Sequence, residues 1–112
     1  MMKPGDAEAT RLFTRMVAGH QGWRLNPDAQ FYETLVEGLT VNRNRYGYYL
    51  CPCRDTEGSR EADRDSICPC AWARKDIPEF GHCYCALYFS AGFADSGAEP
   101  TGIPDRRYAP RQ

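Results

Sequence analysis

Residues 51–85 read CPCRDTEGSREADRDSICPCAWARKDIPEFGHCYC and hold all six cysteines of a chain of 112 residues. The cysteines come as three Cys-x-Cys pairs: Cys51/Cys53, Cys68/Cys70 and Cys83/Cys85. Buried structural cysteines have no reason to pair this way three times. A single structural zinc takes four ligands and favours two to four residues between paired cysteines, so six cysteines at this spacing overfill it. Ferredoxin-type clusters usually draw their ligands from runs with two residues between cysteines, which is also not the pattern here. Four ligands plus two left over is the count for a [4Fe–4S] cluster beside a redox-active dithiol. In an extended segment residues i and i+2 project the same way, whereas a turn splays them. Pro52 and Pro69 fix a backbone angle inside two of the pairs and help hold such a turn. One thiolate of a pair can then reach iron while its neighbour stays just out of bonding reach.

Composition sets the frame for this segment. With 42% hydrophobic and 26% charged residues the chain reads as one ordinary globular domain with a modest core. The net charge of −1 gives no global pull toward nucleic acid or an anionic membrane. No apolar run approaches the roughly 20 residues that span a bilayer. The start, MMKPGDAEAT, lacks the apolar stretch of a secretory signal. The reading is a cytoplasmic protein, where thiols stay reduced and cysteine-rich segments serve metal or redox chemistry.

Two amphipathic helices should precede the cysteines. Over residues 6–20, Asp6 can cap the start. Leu12, Phe13, Met16, Val17 and His20 then fall on one face, opposite Arg11, Thr14 and Arg15. His20 reads as a helix-terminal structural histidine. A second helix should begin at Asn26-Pro27, with Asn26 as cap and Phe31, Tyr32, Leu35, Val36 and Leu39 as its stripe. A short loop between two such helices predicts an antiparallel pair. Tyr46, Tyr48 and Tyr49 then lead into Cys51, either to complete the core or to keep water from a metal site. Between residues 40 and 60, Arg43, Arg45, Arg54 and Arg60 outnumber Asp55 and Glu57 by two, which suits a solvated basic face or an acidic docking partner. Residues 54–67 read as a loop with one short helix. AWARKDIPEF allows another helical turn that Pro78 should interrupt or delimit. ALYFSAGF, residues 86–93, should pack back on the frame, and residues 93–112 read as an irregular tail rich in Gly and Pro.

Tyr46-Gly47 leading to Cys51-Pro52-Cys53-Arg54, then Cys68-Pro69-Cys70, then Cys83-x-Cys85, resembles the catalytic (β) subunit of ferredoxin:thioredoxin reductase. The resemblance covers most of the chain and implies an all-α single domain, residues 1–112, of about five short helices around an iron–sulfur cluster. It implies Cys51, Cys68, Cys70 and Cys83 as ligands of a [4Fe–4S] cluster and Cys53–Cys85 as the active disulfide. It also implies a division of labour. A ferredoxin-like or rubredoxin-like donor delivers electrons singly, and Cys53 attacks the disulfide of a thioredoxin-like protein. Cys85 is held beside the cluster and then resolves the mixed disulfide. The family usually has histidine between the last two cysteines, where this chain has Tyr84. A phenol with a reference pKa near ~10 is a poor base at neutral pH, so His82, two residues earlier, is expected to take part of the proton handling. The spacing between the second and third pairs is longer than in plant-type enzymes, and the tail is more similar to bacterial and archaeal relatives. The plant-type enzyme works with a second, variable subunit; a homodimer or such a small accessory subunit fits this chain equally. The competing readings are a non-catalytic zinc-binding or interaction module and an electron-transfer protein whose two extra thiols do no chemistry.

Overall fold

The computed structural model describes residues 6–52 and 56–104. Helix α1 spans Ala7–Gln21, and the Asp6 carboxylate accepts from the Ala9 N–H at 2.9 Å, as the sequence predicts. Helix α2 spans Ala29–Tyr46 and packs on α1. Its cap is Asp28, whose side chain accepts from the Phe31 N–H at 3.1 Å, and not Asn26. Asn26 has a different task. Its side-chain oxygen accepts from the Asp28 N–H at 2.8 Å and its amide donates to the Ala86 carbonyl at 2.9 Å, while its own N–H donates to the Leu87 carbonyl. It therefore ties the entry of α2 to the chain just after the third cysteine pair.

The face of α1 that packs inward also differs from the expected stripe. Thr10, Thr14 and Ala18 are buried with Phe13 and Val17 beside them, whereas Leu12 is 44% and Met16 66% exposed. His20 is exposed. Hydropathy places threonine outside, but α2 supplies hydroxyl partners. Thr10 Oγ1 meets Thr40 Oγ1 at 2.7 Å, and Thr14 Oγ1 meets the Tyr32 hydroxyl at 2.7 Å. A buried hydroxyl so partnered escapes the desolvation penalty, which leaves its compact, β-branched body free to pack. On α2, Leu35, Val36 and Leu39 are buried as expected, but Phe31 stays 45% exposed.

The rest of the chain adds short elements. Strand β1, Arg24–Leu25, pairs antiparallel with β2, Tyr88–Phe89, in the register Leu25 opposite Tyr88. The all-α expectation is thus corrected to a mostly helical fold with a two-stranded ribbon. Runs of two residues are too short to leave a periodic trace in the sequence. Helix α3, Arg60–Asp63, is capped by Ser59 and runs into a 3₁₀ turn at Arg64–Ser66. Helix α4, Ala73–Phe80, continues through Pro78 for two residues instead of stopping there. It ends at Gly81, whose φ of 92° and close approach to the Phe93 ring leave no room for a Cβ. Helix α5, Ala91–Ser96, takes up residues 93–96, so the irregular stretch begins only at Gly97; residues 105–112 of the expected tail lie outside the described residues. No helix among the described residues is long and apolar enough to cross a membrane.

The core joins these parts. One buried cluster contains Ala18, Leu35 and Leu39 of the helix pair, Ala73 and Ile77 of α4, Leu87 and Tyr88 around β2, and five cysteines. Asn26 is 6% exposed and holds this assembly at its seam. Replacing it leaves a buried carbonyl and a helix-entry N–H without their partners, at ~1–3 kcal/mol. We expect Asn26→Ala to lower the unfolding free energy by about 2 kcal/mol, read as a lower denaturant midpoint at unchanged slope.

Candidate metal and disulfide site

The cysteine segment is folded onto itself by main-chain bonds. Leu50 and Ile67 form an antiparallel bridge, with the Cys51 N–H donating to Ser66 O at 2.8 Å and the Cys68 N–H to Tyr49 O at 2.7 Å. Cys51 and Cys68 are thereby fixed side by side. The Cys68–Pro69 peptide is cis, and Ala73 N–H donates to Cys70 O at 3.1 Å where α4 begins. The third pair sits on a tight turn, with Ala86 N–H donating to Cys83 O at 2.9 Å and Cys83 N–H to Tyr88 O at 3.0 Å. Ala86 closes this turn in the left-handed region, at φ 62°. A non-glycine residue persists there only when its surroundings over-determine it, and the Asn26 clamp on Ala86 O is such a constraint.

Five sulfurs result around one small cavity, lined by Cys51, Cys68, Cys70, Cys83, Cys85 and the rings of Tyr84 and Tyr88, among others. All five cysteines are buried, and no disulfide joins any two of them. Cys85 Sγ lies 3.8 Å from Cys51 Sγ and 3.9 Å from Cys83 Sγ. Cys53 falls outside the described residues, together with Arg54 and Asp55. Pro52 beside it rests on α2 against Gly38, where an added Cβ would come within 3.0 Å of the proline ring.

The electrostatics of the cavity are those of thiols short of countercharge. Burial pushes the Cys68 thiol well above its ordinary range; the Tyr88 hydroxyl opposes this, and the neighbouring cysteines reinforce it. Cys83 moves the other way, because its contact with Cys85 outweighs burial. The described lining carries no lysine, arginine or histidine. A soft, anionic donor set of this kind fits an iron–sulfur centre, whose positive charge makes buried thiolates tenable.

Of the other expected residues, His82 lies behind the turn. It is 1% exposed, its ring packs against Phe89 and Phe93, and its Nδ1 is 2.7 Å from the Cys83 carbonyl. Since a carbonyl only accepts, that nitrogen carries the proton. His82 does not line the cavity, whereas Tyr84 does. The aromatic bulk at the site is therefore Tyr84 and Tyr88, not Tyr46, Tyr48 and Tyr49. Tyr49 stacks on Phe13 at 4.4 Å in the core, and Tyr48 donates to Asp63.

Asp63 was missed by the sequence reading. It is 1% exposed and accepts from the Tyr48 hydroxyl, the Thr56 hydroxyl at 2.7 Å and the Glu57 N–H at 2.5 Å. It thus fixes the chain where it returns from the first cysteine pair. Its sequence signal was only an acidic residue at the end of a four-residue helix, which is usually solvated.

With this geometry described, the class is a small helical redox protein built on a buried set of cysteines. The chain matches the family model for the ferredoxin thioredoxin reductase catalytic beta chain over residues 3–105. It is 30% identical over 89 residues to the ferredoxin-thioredoxin reductase catalytic chain of Pyropia yezoensis, covering 78% of this chain and 73% of that one. It is 31% identical over 85 residues to the same chain of Porphyra purpurea, with 74% and 69% covered. To the chloroplastic catalytic chain of Arabidopsis thaliana it is 27% identical over 100 residues, with 88% and 66% covered. The protein belongs to the ferredoxin-thioredoxin reductase catalytic chain family. These are oxidoreductases that act on disulfides, and the family carries a [4Fe–4S] cluster.

The Asp63 clasp has a defined pH signature. Burial pushes its carboxyl up, but the three donors outweigh burial and hold it below the ordinary value of 3.8. A depressed carboxyl contributes its full stability above the ordinary value and loses it as pH falls through the lower folded value. We expect wild-type stability to drop in acid below pH 3.8 and Asp63→Asn to show a flatter profile there. At neutral pH the variant should lose about 1–3 kcal/mol. Denaturant titrations from neutral to strongly acid pH check both.

Proposed function

We propose that the protein is an iron–sulfur disulfide reductase in which Cys51, Cys68, Cys70 and Cys83 hold the [4Fe–4S] cluster and Cys53 and Cys85 form the active disulfide. The observation that carries this reading is the convergence of five sulfurs from three chain segments on one buried cavity, with Cys85 in contact with both Cys51 and Cys83. When bound, the cluster supplies single-electron chemistry beside a disulfide that needs two electrons.

The chain's own residues do the rest. Two electrons and two protons convert the Cys53–Cys85 disulfide to two thiols. The Cys53 thiolate attacks one sulfur of the target disulfide, forms a mixed disulfide and releases the other target sulfur as a thiolate. Cys85 then attacks Cys53 in the mixed disulfide, which restores the internal disulfide and frees the reduced target. Burial of Cys85 against Cys51 and Cys83 suits a resolving thiol that must not react with solvent oxidants. The donor in this reading is ferredoxin-like or rubredoxin-like and the target thioredoxin-like, in a cytoplasmic setting, with the chain acting as a homodimer or beside a small accessory subunit. A donor at about −400 mV and a thioredoxin at roughly −270 mV leave ~130 mV, or about 6 kcal/mol for two electrons.

The part expected of His82 in proton handling is then indirect: it does not reach the cavity, and it acts by holding the turn of the third pair through the bond from Nδ1 to the Cys83 carbonyl. His82→Ala should lower turnover and displace its pH profile; a variant with both unchanged removes His82 from the mechanism.

The central test is chemical. Protein prepared without oxygen should be brown and contain four irons per chain, and after reduction iodoacetamide should label Cys53 in preference to Cys85. Cys53→Ser should keep the iron and lose turnover with a reduced ferredoxin and a thioredoxin. A colourless zinc-loaded protein, or equal labelling of both thiols, contradicts the reading.

A further inference from the structure

Tyr88 touches two of the proposed ligands through two different groups. Its hydroxyl lies 3.3 Å from Cys68 Sγ, and its N–H points at Cys83 Sγ from 3.4 Å. The residue is held on every side. Its backbone starts β2 opposite Leu25, its carbonyl accepts from the Cys83 N–H, and its ring meets Trp23 at 5.3 Å. It is 1% exposed, so no water competes for the hydroxyl. A phenol, with an ordinary pKa near ~10, is protonated at neutral pH.

We infer that Tyr88 is a positioning residue that sets the reduction potential of the cluster by donating a hydrogen bond from its hydroxyl to the Cys68 sulfur. The inference rests on the ligand assignment proposed above. A protonated phenol facing a thiolate can only donate. Donation withdraws charge from the sulfur and favours the more electron-rich, reduced state, and hydrogen bonds to cysteinyl sulfurs are an established lever on cluster potential. Dry surroundings strengthen the effect. The backbone N–H on Cys83 adds a second donor that no side-chain substitution removes.

The test compares wild type with Tyr88→Phe, which deletes one oxygen and keeps the ring against Trp23. Both are prepared anaerobically and titrated for the one-electron couple of the cluster by optical and EPR signals. Tyr88→Phe should keep four irons and be about tenfold harder to reduce, equivalent to a potential ~59 mV more negative. An unchanged or more positive potential overturns the inference while leaving the function intact. A wild type without the four-iron spectrum overturns the function itself. A second measurement covers a variant that binds no iron. In wild type, exchange into D₂O should shift Fe–S(Cys) stretching bands in the resonance Raman spectrum, and no shift after complete exchange overturns the hydrogen bond.

Discussion

The structure depends on one unfavourable juxtaposition: five thiol sulfurs held together in an apolar core. Thiolates buried this closely repel one another and lose their hydration, and the direction of the Cys68 shift records that cost. A protein of this size has little stability to spare, typically ~5–15 kcal/mol. The sulfurs must therefore be kept in place by interactions that do not depend on their charge. The chain does this with main-chain bonds, at Cys51 to Ser66, Cys68 to Tyr49 and Cys83 to Tyr88. None of these bonds uses a titratable or redox-active atom.

Around that main-chain frame stand polar clasps, one just before α2, one on α2 and one on α3. Asn26 holds the turn of the third pair, Asn42 donates to the Leu50 carbonyl just before the first, and Asp63 grips the return from the first. Each satisfies a backbone group that the irregular cysteine segment cannot satisfy by itself. The logic is that of a loop made rigid from outside. The long helices α1 and α2 give a stable wall, and the loops between the short elements carry sulfur.

This explains which parts were legible in the sequence. The triple Cys-x-Cys pattern exposed the site, because thiols at that spacing have few other uses. Asp6 exposed the start of α1, because capping is a local interaction of neighbouring residues. The inward face of α1 was hidden, since Thr10 and Thr14 look polar until Thr40 and Tyr32 are known to face them. Asn26 was misread for a related reason. Asparagine before proline is a good helix cap locally, and only the position of Ala86, sixty residues on, gives it a better use. Asp63, Tyr88 and the β1–β2 ribbon were hidden because each acts through a distant partner, which local pattern cannot supply. His82 was legible as a histidine beside the third pair, but its burial against Phe89 and Phe93 was not.

The same distinction bears on how one site can serve two kinds of chemistry. Electron transfer needs a centre whose surroundings move little between oxidation states, whereas thiol exchange needs one sulfur that can travel to a partner. A single rigid pocket cannot meet both needs, nor can a single mobile loop. The described residues supply the rigid part. Cys51 is pinned through its own N–H, and Cys83 through its N–H and the bond that its carbonyl accepts from Ala86. Under the division of roles proposed above, Cys51 and Cys83 are the ligand positions of the first and third pairs, and main-chain anchorage of this kind is what a centre that moves little requires.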